Sequence, residues 1–414
     1  YQAGNGGNIS LSGFGGLSIR SDVNASMSTI GSPGSFGPGN IILRTSNTQL
    51  TTGGGVNDGV VGGVLYGNNL DKEGVGVLGI GGIQVYKGTT NIKAGRVVLL
   101  SDKAIPELSN LTLFPATELD LNGKSITLAS LGGELTSKIT NGVATPVLLK
   151  FGGSAAFRGL IEDGAGVVNL EKIGIGSATF ELTANTYTGT TTISGGALAI
   201  RHALSLGSIQ GATIVNGGLL QLHNVRVVDE PLSINLPFAT GALQGMSGSN
   251  EWIGKVNLLG EVSIYVNTGA SLAISPPSGP ALEGTNTNVI FNNLGSLTIN
   301  GEIVTGNATL RKNNAGILTL NGANAYNGIT TLTDGQTVIK HNLALGSNLA
   351  GTTLGSTANL TLDGALNVTG ETLSMTSNAI TTNGSLLTKN GASTWSGDIA
   401  MNGTNVYWNN ESNF

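Results

Sequence analysis

The chain has 414 residues, of which 66 are glycine, 19 are basic and 24 are acidic, and it contains no cysteine. Glycine is about twice as frequent as in ordinary globular proteins, and the charged fraction of 10% is less than half of the usual share. These values exclude a coiled coil or a helical repeat, because glycine inside a helix costs about 1 kcal/mol relative to alanine. The hydrophobic content of 39% excludes a disordered chain.

The net charge of −5 is not accompanied by a basic stripe, so neither nucleic acid nor anionic lipid is an expected partner. No run of about 18 apolar residues predicts a membrane-spanning helix. The lack of cysteine excludes disulfides and thiolate metal ligands. We therefore expect repeated backbone hydrogen bonds and a long apolar core to stabilise the fold.

The first part of the chain, residues 1–50, is rich in glycine and only weakly repetitive. We predict an N-terminal glycine-rich β segment there, which caps the fold or docks on another chain. The stretch Gly53–Asp58 resembles in part the calcium-binding nonapeptide of RTX proteins. Val56 replaces one of the glycines and the phrase does not recur in tandem, so a simple glycine-rich loop is the favoured interpretation.

A short phrase of alternating apolar and polar residues, followed by a turn, occurs four times further along the chain. The alternation is typical of a half-buried strand, and Asn or Asp before glycine is typical of a sharp turn. The last three copies begin 21 and 42 residues apart, which indicates a 21-residue period. This pattern predicts a β-solenoid, with an antiparallel sandwich built from Asn-Gly hairpins as the alternative. The four copies are Leu119–Gly123, Leu297–Gly301, Leu318–Gly322 and Leu360–Gly364.

Two longer repeats favour the solenoid, because a sandwich does not require similar segments. Residues 184–208 recur at 323–347 without a gap, and residues 85–100 form a weaker copy. In the same way, residues 241–258 recur at 384–401. The aromatic residues that these repeats align are Tyr86, Tyr187 and Tyr326 in the first and Trp252 and Trp395 in the second.

The first of these repeats resembles the autotransporter-associated β-strand repeat, which occurs in passenger regions of Gram-negative autotransporters and other large surface proteins. The family phrase has a lysine, a glycine-rich turn, a Leu-Thr-Leu strand and then Gly-Ala-Asn-Thr-Tyr-Thr-Gly-Gly-Thr-Thr. The resemblance covers roughly residues 50–414. The matching residues are Lys172, Asn185, Thr186, Tyr187, Thr188, Gly189, Thr191 and Thr192 in one copy, and Lys312, Leu318, Leu320, Gly322, Ala323, Asn324, Tyr326, Gly328, Thr330 and Thr331 in the other.

The resemblance implies an all-β fold, a single-stranded right-handed parallel β-helix. With a 21-residue period the chain would form about 20 coils, and residues 51–414 would be one continuous parallel β-helix of autotransporter-type repeats. It also implies a location outside the cell or on the cell surface of a Gram-negative-type bacterium. We expect contact with the outer membrane only through a translocator that this chain does not contain.

Polysaccharide lyases and glycosidases also use parallel β-helices, so carboxylates that could share a groove are candidate catalytic residues. Glu162, Asp163 and Glu171 come nearest to this, but Asp163 precedes a turn glycine and neighbouring strand residues point to opposite faces. His202 and His341 occupy equivalent repeat positions in different coils, too far apart to share one metal ion. We therefore expect no catalytic residue, no metal site and no cofactor.

The remaining candidates are aromatic residues near the end of the sequence. Tyr407, Trp408 and Phe414 form the predicted interaction surface, because aromatic rings stack on carbohydrates. The sequence also stops within a repeat, where an open coil could dock on another copy. Trp252 and Trp395 belong to repeats and are predicted to pack within the scaffold.

From these observations we predict a non-catalytic extracellular structural or adhesive surface protein that forms an elongated β-helical rod. Its expected partners are a host or environmental glycan or cell surface, and a second copy that stacks head to tail into a filament. The alternative is a secreted polysaccharide-active β-helix enzyme, either a lyase or a glycosidase.

Overall fold

The computed structural model is built from short parallel strands. Across the part of the chain that it describes, no helix occurs, and so none has the length and hydropathy that crossing a membrane requires. The described residues are 9–13, 17–19, 23–24, 41–45, 59–62, 64–235, 241–376, 386–402 and 408–410.

The chain divides into two compact units. The first comprises Tyr1–Leu198 with Leu204–Gly211, and the second comprises Ala199–Ala203 with Ala212–Phe414. The strands of the first unit are β1 (Ile9–Gly13), β2 (Leu17–Ile19), β3 (Val23–Asn24), β4 (Ile41–Thr45), β5 (Gly59–Val61), β6 (Leu65–Tyr66), β7 (Leu70–Glu73), β8 (Val77–Ile80), β9 (Thr90–Ile92), β10 (Gly95–Leu99), β11 (Asn110–Leu113), β12 (Thr117–Asp120), β13 (Ile126–Leu128), β14 (Ser130–Gly133), β15 (Lys138–Asn141), β16 (Val147–Phe151), β17 (Ala156–Phe157), β18 (Leu160–Gly164), β19 (Val168–Lys172), β20 (Ser177–Phe180) and β21 (Thr191–Ile193).

The next strand, β22 (Ala197–Ile200), begins in the first unit and ends in the second. The strands of the second unit are β23 (Thr213–Asn216), β24 (Leu219–His223), β25 (Arg226–Val228), β26 (Leu232–Asn235), β27 (Leu243–Ser247), β28 (Ser249–Ile253), β29 (Val256–Leu258), β30 (Val262–Val266), β31 (Ser271–Ile274), β32 (Pro280–Gly284), β33 (Val289–Asn293), β34 (Ser296–Ile299), β35 (Glu302–Val304), β36 (Leu310–Asn313), β37 (Ile317–Leu320), β38 (Thr330–Ile339), β39 (Thr352–Asp363), β40 (Asn367–Val368), β41 (Leu373–Met375), β42 (Leu386–Lys389), β43 (Thr394–Trp395), β44 (Ile399–Met401) and β45 (Trp408–Asn410).

A coil of the second unit consists of three short strands, each of which pairs in parallel with its counterpart in the next coil. Strands β30, β31 and β32 pair in parallel with β33, β34 and β35 of the following coil. The backbone groups of one coil are thus satisfied by the coils on either side. This arrangement confirms the predicted parallel β-solenoid and excludes the antiparallel sandwich for the described residues.

Side chains alternate between the inward and outward faces of each strand, and paired strands place similar inward residues above one another in the core. Leu272, Leu297 and Leu318 occupy the same register in β31, β34 and β37, and all three are fully buried. Burial of one such side chain contributes roughly 1.5–3 kcal/mol. The Leu-Thr-Leu phrase therefore marks the inward face of a coil, as predicted.

The Asn-Gly corners have two different physical causes. Asn122 and Gly123 both adopt positive φ angles, 46° and 74°, so this corner uses the left-handed conformation that the sequence predicts. Gly322 instead lies so close to the preceding coil that a Cβ atom would approach the backbone oxygen of Gly301 to 2.2 Å. Glycine is required there by the spacing of the coils.

Outward asparagines of successive coils form amide ladders. The amide of Asn313 donates to Oδ1 of Asn292 at 2.8 Å, and that of Asn321 donates to Oδ1 of Asn300 at 2.5 Å. The two residues of each pair belong to successive coils. The ladders thus hold neighbouring coils together outside the core.

The coil number differs from the prediction, because the described residues form about 14 turns where about 20 were predicted. The prediction of 20 assumed one 21-residue period, whereas Val256 pairs with Leu282 and Leu373 pairs with Ile399, at spacings of 26 residues. Between Val256 and Leu282 the residues outside the paired strands lie in the turns that separate β29, β30, β31 and β32. The predicted boundary at residue 50, and the predicted continuity of residues 51–414, stay predictions.

Candidate interaction site

The predicted aromatic surface falls largely outside the described residues. Tyr407 and Phe414 are not among them. Trp408 begins β45, whose backbone pairs with that of Leu386 in β42, and its side chain is not described. An interaction surface formed by these three residues therefore stays a prediction. The glycine-rich stretch 53–58 also lies outside the described residues.

The three candidate catalytic carboxylates are engaged in structural contacts. Glu162 lies 3.1 Å from Nζ of Lys138. Asp163 accepts hydrogen bonds from the backbone N–H groups of Val168 and Thr188 and from the Thr188 hydroxyl. These carboxylates therefore hold turns and neighbouring strands of the scaffold.

Glu171 belongs to a different strand stack from the other two carboxylates. It lies in β19, which pairs with β16 and β21, whereas Glu162 and Asp163 lie in β18, which pairs with β15. Nζ of Lys150 lies 2.8 Å from the Glu171 carboxylate, and this hydrogen bond lowers the pKa of Glu171. Glu171 therefore does not form a catalytic pair with either of the other two carboxylates.

The repeated histidines and tryptophans also take part in the scaffold. Nδ1 of His341 accepts a hydrogen bond from the Leu343 backbone in the loop that follows β38, and His202 occupies the equivalent loop after β22. Trp252 is completely buried, and the indole N–H of Trp395 donates to the backbone oxygen of Glu371 at 2.8 Å. Packing of both tryptophans against the scaffold agrees with the prediction.

The lysine of the repeat phrase is a buried clamp between two coils. Nζ of Lys312 donates to the carbonyl oxygens of Asn314, in its own turn, and Asp334, in the next coil, at 2.6 and 2.7 Å. Burial lowers the pKa of Lys312 to about 8. Lys172 makes the corresponding bonds to Ile173 and Gly195.

A third lysine of this kind was not predicted from the sequence. Lys72 is 1% exposed and donates to the carbonyl oxygens of Glu73, Gly74 and Ala94. Its signal is the distance to the repeat tyrosine, because Lys72 precedes Tyr86 by 14 residues, the same interval that separates Lys312 from Tyr326. The glycine-rich turn after Lys72 diverges from the family phrase, which concealed the match.

The repeat tyrosine is fully enclosed and bonds to a threonine four residues later. The hydroxyl of Tyr326 lies 2.7 Å from Oγ1 of Thr330, which itself donates to the carbonyl oxygen of Leu345. Because the threonine has only one hydrogen to donate, the tyrosine is the donor in the first bond. The other two copies have the same contact at 2.6 Å, in the pairs Tyr86–Thr90 and Tyr187–Thr191.

An amide two residues before each tyrosine joins its coil to the preceding one. Gln84, Asn185 and Asn324 are buried, and each accepts a hydrogen bond from a backbone N–H group of the coil before it. The amide groups of the two asparagines also donate to a carbonyl oxygen of the coil that follows. The backbone donors are those of Leu65, Ile161 and Ile303.

Two carboxyl groups are buried without a cationic partner among the described residues. Glu230 accepts a hydrogen bond from the hydroxyl of Thr213 at 2.8 Å, and Glu371 accepts one from Thr352 at 2.7 Å. Burial raises the pKa of Glu230 to about 7 and also raises that of Glu371. Both carboxyl groups thus favour the neutral form more strongly than an exposed glutamate does.

Beside two of the repeat tyrosines the surface contains a groove. The groove of the second unit has a volume of about 370 Å³, and we name it the amide groove. The groove of the first unit has a volume of about 590 Å³, and we name it the apolar groove. The amide groove is lined by Asn327, Asn342, Leu343, Asn348, Val368 and Glu371, and the apolar groove by Ile83, Val85, Lys87, Lys103, Pro106 and Leu108, among others.

Comparisons with known proteins agree with this assignment of the repeat residues. The passenger-associated-transport-repeat family matches residues 170–200 and 310–339, which contain two of the buried lysines and two of the enclosed tyrosines. The adhesin BmaC autotransporter of Brucella suis biovar 1 (strain 1330) is 29% identical over 287 residues, which is 65% of this chain and 8% of the relative. The chain thus spans less than a tenth of that curated relative. No solved structure matches the chain significantly. The chain carries the repeats of autotransporter passenger proteins.

Proposed function

We propose that this chain is a non-catalytic, adhesive part of a passenger protein located on the bacterial cell surface. The observation that carries the proposal is the direction of the repeat side chains. The clamp lysines, the enclosed tyrosines and the buried amides all face inward and bond to the scaffold. The matched family is a passenger repeat and the relative is named an adhesin, which supports binding as the role of the outer surface.

Adhesion is tested with the purified chain coated on fluorescent beads. We expect the beads to bind to epithelial cells or to extracellular matrix, and an excess of the soluble chain to compete for that binding. Beads coated with albumin are the control for non-specific attachment. Binding that the soluble chain does not reduce, or no binding at all, would contradict the proposal.

The alternative function, a polysaccharide lyase or glycosidase, receives less support. Glu162 is paired with Lys138 and Glu171 with Lys150, and the two carboxylates lie in different strand stacks. A glycosidase needs two carboxyl groups about 5 to 10 Å apart across one groove. Incubation with acidic and neutral polysaccharides distinguishes the two functions, because an enzyme releases reducing ends or unsaturated products and an adhesin does not.

Head-to-tail self-association is a second property that we propose for the same chain. In a parallel solenoid each coil is completed by hydrogen bonds to the coils on either side, so an uncovered coil presents unpaired backbone groups. A second copy supplies the matching groups. Mass photometry at micromolar concentration is expected to show oligomers of increasing length, and a purely monomeric distribution would refute self-association.

A further inference from the structure

The amide groove and the apolar groove occupy the same position in two copies of the repeat. Counted from the tyrosine, Asn327 corresponds to Lys87 and Asn348 corresponds to Leu108. In both copies the inward frame is the same, with a buried amide two residues before the tyrosine and a threonine four residues after it. The buried residues around the tyrosine are thus the same in both copies, whereas the residues that line the groove differ.

Several polar atoms of the amide groove are available to a ligand. The amide group of Asn348 makes no hydrogen bond to any described residue. Asn342 uses its Oδ1 atom to accept from the backbone of Asn367, and Asn327 uses its Nδ2 atom to donate to Asn307. Nδ2 of Asn342 and Oδ1 of Asn327 have no partner within the described ranges. The groove therefore offers both donors and acceptors.

The groove also contains apolar surface, and one of the residues that line it has an unsatisfied hydroxyl. Oγ of Ser347 is buried and has no hydrogen-bond partner among the described residues. Leu343, which is 49% exposed, and Val368 add hydrocarbon surface. The carboxyl group of Glu371 is 4% exposed and lies in the floor, where burial favours its neutral form. Of the described residues that line the groove, none is a lysine or an arginine.

From this combination we propose that the amide groove binds a neutral saccharide unit, an inference that rests on the adhesive function proposed above. Sugar hydroxyl groups both donate and accept hydrogen bonds, as free amides do, and the C–H face of a sugar ring packs on leucine and valine. An anionic ligand would leave its charge without a cationic partner. The volume of 370 Å³ lies within the range of about 300 to 1,000 Å³ that is usual for ligand pockets.

The test uses the full chain and a panel of neutral oligosaccharides of glucose, galactose, mannose and N-acetylglucosamine, with polygalacturonate as the anionic comparison. Saturation-transfer NMR identifies the oligosaccharides that bind, and calorimetry gives their Kd. We expect Asn348→Ala to weaken binding about fivefold, because it removes one ligand hydrogen bond. Leu343→Ala should also weaken binding. The matched control is Leu108→Ala, because Leu108 is the residue of the apolar groove that corresponds to Asn348. This variant should leave Kd unchanged.

The fold is monitored by the thermal unfolding midpoint of each variant. Asn348→Ala removes no hydrogen bond of the described protein, so its midpoint should equal that of the wild type. A panel without any binding, stronger binding of polygalacturonate than of the neutral oligomers, or equal Kd values for wild type and Asn348→Ala would overturn the inference. Beads that adhere equally well with wild type and Asn348→Ala would overturn it as the adhesive site, while adhesion itself would stand.

Discussion

Tyr326 is 1% exposed, yet its hydroxyl is satisfied, because Thr330 accepts its hydrogen and passes a second hydrogen bond to the carbonyl oxygen of Leu345. The clamp lysines follow the same rule, since the Nζ atom of each donates to backbone carbonyl groups of two coils. A buried polar group without a partner costs more than a satisfied one contributes. These side chains therefore tolerate burial and fix the register of neighbouring coils.

Replacement of Tyr326 by phenylalanine is expected to lower the free energy of unfolding by about 1 kcal/mol. The change removes one buried hydrogen bond and leaves the bond from Thr330 to Leu345 in place. The measurement is the midpoint of urea unfolding. The control is Tyr265→Phe, because the Tyr265 hydroxyl makes only a 3.2 Å bond to Asn267 near the surface. Equal losses in the two variants would contradict this account.

The buried carboxyl group of Glu230 predicts a dependence of stability on pH. Its pKa in the folded state, about 7, lies above the ordinary value of 4.5, so between these values the folded chain binds more protons than the unfolded chain. The free energy of unfolding should therefore fall as pH rises from 4.5 to 7, by about 3 kcal/mol from this group.

Glu230→Gln should remove that decrease, because the amide can still accept from Thr213 and does not titrate. Urea unfolding at pH 4.5, 6 and 7.5 measures how the free energy of unfolding changes with pH in each variant. Glu251→Gln serves as the control, since Glu251 pairs with Arg226 at the surface and the decrease should persist there. A wild-type stability that is constant over this range would contradict the prediction.

At the scale of the strand, charges are few but ordered. Arg96, Glu118 and Lys138 lie opposite one another in β10, β12 and β15, and Glu162 of β18 follows at 3.1 Å from Lys138. We name this row the charge ladder. The signs alternate along it, so each group has opposite charges as neighbours. Stacked like charges would repel one another, and the alternation of signs avoids such pairs in the charge ladder.

Reversal of the central charge, Glu118→Lys, is expected to destabilise the first unit by about 1 to 2 kcal/mol in low salt. The variant loses contacts of 3.0 and 3.3 Å and places three cations in a row. Because the side chains of Arg96 and Lys138 are about one-third exposed and that of Glu118 about one-quarter, 1 M salt should reduce the loss markedly. Unfolding midpoints at both salt concentrations measure it, and a salt-independent loss would contradict the mechanism.

At the scale of the whole molecule, coil length varies in the turns, while pairs such as β31–β34 and β34–β37 keep an unbroken register. The turn before β32 includes Gly279, around which a Cβ atom would meet nothing within 4 Å. In β34, by contrast, Leu297 and Ile299 are fully buried and Thr298 between them is not. A shift of one residue within a strand exchanges its two faces.

Insertion of one alanine after Ser278, in the exposed turn, should therefore change stability by less than about 0.5 kcal/mol. The same insertion between Leu297 and Thr298 should cost at least about 3 kcal/mol, because Thr298 would face the core and Ile299 would face solvent. Circular dichroism and urea unfolding compare the two variants. Equal effects would show that register is not what limits coil length.

The sequence predicted the parallel strands and their inward leucines, because both depend on local periodicity, and the family, because the repeat phrase is a local motif. It overestimated the number of coils, because extra turn residues such as those between Val256 and Leu282 leave no periodic signal. It identified Lys172 and Lys312 as residues of the repeat but not as buried clamps, since the carbonyl groups that bind Lys312 come from turns that the sequence does not align. The grooves depend on surface shape, which periodicity does not encode.

The buried amide, tyrosine and threonine are the same in both repeats, whereas the residues that line the grooves differ. Selection for folding and selection for binding can therefore act on different residues. Changes at Asn327 or Asn348 alter what the surface presents, and changes at Tyr326 or Asn324 alter whether the coil forms. Ligand preference can therefore drift or be engineered at outward positions without a search for compensating mutations in the core. A library randomised only at groove positions should retain folded members at high frequency, which makes the repeat a natural framework for evolving new recognition.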